Sequence, residues 1–333
     1  MMNKRLKQGT TFLLALALAF PLLTLPGARA ANAIETDRKC SVSFSVSGES
    51  NELTAADTDI KVNLYKVADV DVSGNYTATK DFTGLNVSSV SADDKDAAAS
   101  EWADRAKEAQ KMLKESVEPT ATVTLAKGIG SKDGLATGLY LVDTPEVVTT
   151  NYTYTFTPYL VSLPTNNYYS NGNDTWIYDL TDTNAIGLKP EEHARYGDLK
   201  INKTLANHNA TTGKKATFVF KIEITPLKGK TETRIESLDF EAAGDSSVTI
   251  TKIPAGAKVK VTEVYSGASY KLTSANDQTA TIVATDRGST NTPASVSFTN
   301  DIDDNMNGGY GVKNNFKLDE NGQYQYTEPA EKN

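Results

Sequence analysis

Cysteine and histidine are almost missing from this sequence, and their scarcity removes whole classes of chemistry. Cys40 is the only cysteine among 333 residues, so no disulfide can form within the chain. Its context, "TDRKC", also lacks the small and apolar residues that precede a lipid-acylated cysteine. His193 and His208 are the only histidines, and both fall in polar connecting sequence. They leave too little for a histidine metal site or a histidine-activated nucleophile. No phosphate-binding loop occurs, and the acidic pairs fall on polar faces and in loops, so a turnover enzyme is not expected. "DIDDNMNGG" near the tail matches a calcium loop only loosely, without the closing glutamate of an EF-hand. No cofactor or metal is expected. Basic residues number 34 against 42 acidic ones, and an acidic chain without basic clusters does not suit nucleic acid or anionic lipid.

Long apolar runs are equally scarce. The one example, "FLLALALAFPLLTL", follows a basic stretch (Lys4, Arg5, Lys7) and precedes "GARA". That order predicts an export signal over residues 1–30, too short for an ordinary spanning helix and cleaved after Ala30. Its loss takes away four basic residues and no acidic one, moving the net charge from −8 to −12. The mature chain is expected to carry no membrane span and to reach the cell surface, cell wall or medium.

What is present is β-sheet patterning. Residues 31–190 alternate apolar and polar residues in "CSVSFSVSG", "DIKVNLYKVADV", "GLYLVDT" and "YTFTPYLVSLP", with turn residues between them. One stretch breaks the period. Residues from about 93 to 117 read as a helix, with Ser91 or Asp93 as N-cap and Pro119 beyond the end. Ala98, Trp102, Ala106, Ala109 and Leu113 form its apolar stripe, expected to pack on a sheet. After "NAIGLKPEEHARYG" the alternation resumes, and residues 191–305 read as an all-β sandwich without helices. Residues 306–333 form a tail with a hairpin signal at Asn321–Gly322.

Three strands of the second region carry a polar residue where the period calls for an apolar one. In "GDLKINKTL", Lys203 shares parity with Leu199, Ile201 and Leu205. Glu263 follows Val259 and Val261 in "AKVKVTEVY", and Asn300 follows Val296 and Phe298 in "ASVSFTN". Taken singly, each reads as a strand-end residue bending out to water. Together they form a complete chemical set. Burial lowers an amine's pKa and leaves a neutral nucleophile, while a buried carboxyl group keeps its proton more readily. Such an acid, hydrogen-bonded to the Asn300 carbonyl, would polarise it for attack by Lys203. Ammonia would leave, and an amide would join the first strand to the last.

The order "GDLKINKTL…ATFVFKIEI…ITKIPAGAKVKVTEVYSGASY…VSFTN" resembles a B-type collagen-adhesin (CnaB-like) module of Gram-positive surface proteins and sortase-assembled pilins. The resemblance spans residues 197–300. By position it implies Lys203 and Asn300 as isopeptide partners and Glu263 as the catalytic acid, with Asn314 or Asn315 as rival acceptors. The region 31–190 resembles the first domain of pilins, so the fold implied is mainly β, with two tandem Ig-like β-sandwich domains. Its first strand has no lysine matching Lys203, and Asp143–Thr144 stands where a glutamate is wanted. Lys66 shares parity with Leu64 but is expected to snorkel at a strand end. No isopeptide bond is expected there. The pilin motif whose lysine joins the next subunit starts at Trp176 and dissolves, leaving Lys189 as a poor match. The C-terminal sorting signal of the family is not found.

The resemblance implies a structural subunit of a pilus or stalk, with other surface subunits and sortase as partners. The alternative is an adhesin for host extracellular matrix protein or glycan, acting through the first domain. Its best candidate face is the "NYYSNGNDTWIYD" loop, unless Trp176 and Tyr178 instead close that domain's core.

Overall fold

The computed structural model describes residues 33–46, 52–55, 58–91, 95–114, 116–166, 175–181, 185–209, 215–267, 269–286 and 289–303. It adds three short strands, Leu23–Thr24, Asn315–Leu318 and Tyr324–Thr327. The export segment apart from Leu23–Thr24, the Asp93 cap and most of "DIDDNMNGG" lie outside the described residues. Among the described residues no helix is long and apolar enough to cross a membrane. The chain divides into two compact units, the first Met1–Thr149 with Thr153–His193, the second Thr150–Tyr152 with Ala194–Asn333.

In the first unit the alternating stretches form β1 (Cys40–Val46), β2 (Asp59–Val70), β3 (Ala121–Ala126), β4 (Ile129–Leu135), β5 (Gly138–Asp143) and β6 (Tyr159–Leu163). They join in the order β6-β5-β2-β3-β4-β1 within a nine-stranded sheet. The short strands Asp179–Leu180 and Ile186–Leu188 run parallel to β1. The one α-helix of the described residues, α1 (Lys95–Met112), packs its stripe onto this sheet. Ala98, Trp102, Ala106 and Ala109 are buried together with Tyr65, Leu139, Leu141 and Leu160, as the 3.6-residue spacing predicts. The helix stops before residue 117 because the chain tightens into three-residue turns, Leu113 N donating to Gln110 O and Val117 N to Lys114 O.

The second unit is a sandwich of two four-stranded sheets. Its strands are β7 (Tyr196–Leu205), β8 (Ala216–Thr225), β9 (Glu232–Phe240), β10 (Gly244–Pro254) and β11 (Lys258–Tyr265). They are followed by β12 (Tyr270–Leu272), β13 (Asp277–Thr281) and β14 (Ala294–Ile302). One sheet has the order β10-β7-β14-β12, and the other β9-β8-β11-β13. Inward rows from both sheets build one core that includes Leu199, Ile201, Phe218, Phe220, Val261 and Phe298. Hydrogen bonding sets β7, the first strand, parallel and next to β14, the last. The two tail strands pair antiparallel as a hairpin.

Candidate functional site

Strand β7 alternates as its sequence does. Leu199, Ile201, Lys203 and Leu205 are all buried, with Lys203 only 1% exposed. In the parallel pairing Lys203 lies opposite Phe298 and Leu205 opposite Asn300, so Asn300 is the diagonal neighbour of Lys203 on the same face. A lysine side chain is long enough to span that diagonal. Asn300 is fully buried. Glu263, 5% exposed, comes from β11 in the facing sheet, where Ala257, Val259 and Val261 share its inward row. The three polar residues of the sequence pattern therefore meet in the core, two from one sheet and one from the other.

Their contacts are mutual. Lys203 Nζ donates to Asn300 Oδ1. Asn300 Nδ2 donates to Glu263 Oε1 at 2.6 Å, and Glu263 Oε2 lies 3.0 Å from Lys203 Nζ. Oε2 makes no hydrogen bond to any other described group. Around them the walls are aromatic. Nζ sits 4.4 Å from the centre of the Phe218 ring, and Phe220 and Phe298 pack with centroids 5.1 Å apart. Burial pushes the Lys203 amine below its ordinary value of 10.5. The Glu263 charge and hydrogen bond oppose that shift without cancelling it.

One contact differs from the sequence expectation. The Glu263 carboxyl meets the amide nitrogen of Asn300, whereas the sequence pattern predicts the carbonyl oxygen. The lysine occupies Oδ1, so the carboxylate takes the amide's donor side. Glu263 is thereby next to the group that would have to leave if Asn300 were attacked.

Other candidates stand apart from this cluster. Lys66 pairs at 2.6 Å with Asp69, whose side chain is 69% exposed, so its amine reaches toward the surface as expected, although from within β2 and not from a strand end. Cys40 is buried, and burial raises its thiol to about 11. Tyr178 is buried, its hydroxyl accepting from Glu35 N at 2.7 Å under the Arg38 guanidinium, which makes it a core residue. Lys189 is exposed, and His193 reaches only the Thr155 hydroxyl among the described contacts. Asn314 and the side chain of Asn315 lie outside the described residues, as does the tyrosine-rich loop before Trp176. No cluster of metal-ligating side chains occurs among the described residues.

Residues 199–303 match a family described as a domain of unknown function (DUF5979). No curated protein matches the sequence. Solved structures that match include Gram-positive pilins. The minor pilin GBS52 of Streptococcus agalactiae shares 12% identity, covering 79% of this chain and 96% of that one, with a TM-score of 0.23. The full-length major pilin SpaD of Corynebacterium diphtheriae shares 11% identity over 83% of this chain and 100% of that one, with a TM-score of 0.24. SpaA of Corynebacterium diphtheriae, described as pointing to a modular pilus assembly stabilizing isopeptide bonds, shares 11% over 79% and 100%, at 0.21. At these scores the likeness decides nothing about the site, whose chemistry follows from its own side chains.

Proposed function

We propose that Lys203 and Asn300 are joined by an intramolecular isopeptide bond formed with the help of Glu263. The observation that carries this reading is an amine, an amide and a carboxyl in mutual contact inside an otherwise apolar core. The neutral amine attacks Asn300 Cγ. The proton leaving Nζ passes to Glu263 Oε2, and Glu263 Oε1 delivers a proton to the departing Nδ2. The Nζ–Cγ bond forms, the Cγ–Nδ2 bond breaks, and ammonia leaves. The carboxyl ends with as many protons as it began with, so no external acid, base or cofactor is consumed. A half turn of the amide would bring Oδ1 to the carboxyl instead, and both orientations use Glu263 in the same place. Fixed strands supply the effective molarity that free side chains lack. The event happens once per molecule and involves no turnover.

The bond suits a structural subunit of a Gram-positive surface pilus or stalk. Tension entering at β7 would cross to β14 through the bond and leave, sparing the residues between. The sequence resemblance over 197–300 and the expected export signal support the same setting, with other surface subunits as partners. Pulling the chain by its ends in a single-molecule instrument tests the reading. The bonded unit should refuse to release the 97-residue separation between Lys203 and Asn300, an extension of about 340 Å for a stretched chain. A Lys203→Met chain should release it. Full extension of the wild type would refute the bond.

A further inference from the structure

Resting on that reading, we infer that residues 273–278, the connection after β12 together with the first two residues of β13, are a positioning strap that sets Glu263 against Asn300 and so governs the cross-linking rate. Where β12 ends, the chain passes from one sheet to the other beside the reactive cluster. On the Asn300 side it follows β14 closely. Thr273 N donates to Thr299 O at 2.8 Å, and Thr299 N donates to Ser274 Oγ at 3.1 Å. Gln278 grips Ser297 in both directions: its Nε2 donates to the Ser297 carbonyl, and its Oε1 accepts from Ser297 N at 3.1 Å. On the Glu263 side, the β11–β13 ladder ends at Thr262 opposite Asp277. The next N–H, that of Glu263 itself, donates at 3.1 Å to the Asn276 side-chain Oδ1.

Asn276 therefore stands in for a ladder carbonyl at the residue that handles the protons. On its other side, the β8–β11 pairing shifts register between Val219 and Phe220, next to the Phe220–Glu263 pair. One side-chain acceptor thus holds the Glu263 N–H at the point where regular pairing changes. Six consecutive residues tie the amide-bearing strand and the carboxyl-bearing strand to one short segment. Neither Asn276 nor Gln278 touches the reacting atoms, so their effect is geometric. A misplacement near 1 Å at such distances lowers a rate by about 100-fold.

The test times bond formation in the full chain made by cell-free synthesis. Samples are quenched in denaturant, and the fraction lighter by one ammonia is read by intact mass. A parallel protease challenge counts folded molecules, so rates are expressed per folded chain. Asn276→Ala and Gln278→Ala, acting on opposite sides of the strap, should each slow bond formation by about 10- to 100-fold. Asn276→Asp, which keeps an acceptor oxygen, should return the rate to within about threefold of wild type, a rescue that loss of bulk stability would not produce. If folded molecules of both alanine variants cross-link at the wild-type rate, the strap has no positioning role, while the bond itself stands. If Asn276→Ala does not fold, Gln278→Ala decides the matter alone, a wild-type rate per folded chain overturning the positioning role. If wild type never loses ammonia, the bond and the strap's role fall together.

Discussion

Replacing Glu263 by glutamine should uncouple the bond from the fold. Glutamine keeps the volume and can still accept from Asn300 Nδ2 through its carbonyl, yet it cannot take a proton from Lys203. The cross-link then fails to form, and the loss is calculable. Lys203 and Asn300 are 97 residues apart, and closing a loop of that size withdraws about 4.7 kcal/mol of chain entropy from the unfolded state. For a domain of this size, roughly 4 °C of melting temperature accompanies each kcal/mol, so the variant should melt about 15–20 °C lower. A lysine left buried without its carboxyl partner adds to the loss. The double variant Lys203→Met with Glu263→Gln removes that extra cost and should retain the entropic drop. Scanning calorimetry reads the shift, and urea unfolding adds an independent sign. Without the link the unfolded chain expands, so the urea slope should rise. A Glu263→Gln chain of full mass that melts within about 5 °C of wild type would refute the link between bond and stability.

Four further outcomes follow from the packing and the charges. Gly197→Ala should unfold or severely destabilise the second unit, because an added Cβ would sit 1.8 Å from the Val283 carbonyl oxygen; denaturant melts read this directly. Trp102→Ala should cost the first unit about 3–5 kcal/mol, since the ring is buried between α1 and the sheet. Cys40 should resist a thiol reagent at pH 8 until the chain unfolds, because it is buried and its thiol is raised to about 11. In an Asn300→Ala chain, Lys203 stays an amine whose folded value is lowered below 10.5, so the unfolded state binds more protons. Its stability relative to Lys203→Met with Asn300→Ala should therefore rise with pH toward 10.5, measured by urea midpoints.

The reactive trio was legible because strand parity is strict. A period of two leaves no ambiguity about which face Lys203, Glu263 and Asn300 occupy once their apolar neighbours are buried. The helix was equally plain, since its stripe of small residues and Trp102 repeats at helical spacing, although its end depended on turn hydrogen bonds that composition does not display. The pairing within the trio was not legible. Whether Glu263 meets the nitrogen or the oxygen of Asn300 depends on where the lysine lies, and that is a tertiary fact. The strap is illegible in the sequence for a different reason. "TSANDQ" reads as an ordinary polar connection, and only the placement of two sheets shows that Asn276 completes the ladder of Glu263. Nothing in the sequence sets Phe218 apart from other inward aromatics, and only the fold places Nζ over its ring.

An amine, a carboxyl and an amide buried together are costly to keep as separate polar groups, because two of them can carry charge in an otherwise apolar core. The proposed amide would replace the lysine's titratable amine with a neutral group and remove that liability. Such a reaction would relieve the folded state as well as constrain the unfolded one.

The intact mass of the full chain decides whether the bond exists. The wild type should be lighter than its sequence by one ammonia, about 17 Da, and Lys203→Ala, Glu263→Ala and Asn300→Ala should each show no deficit. A folded wild-type chain at its full sequence mass would contradict the proposed chemistry outright.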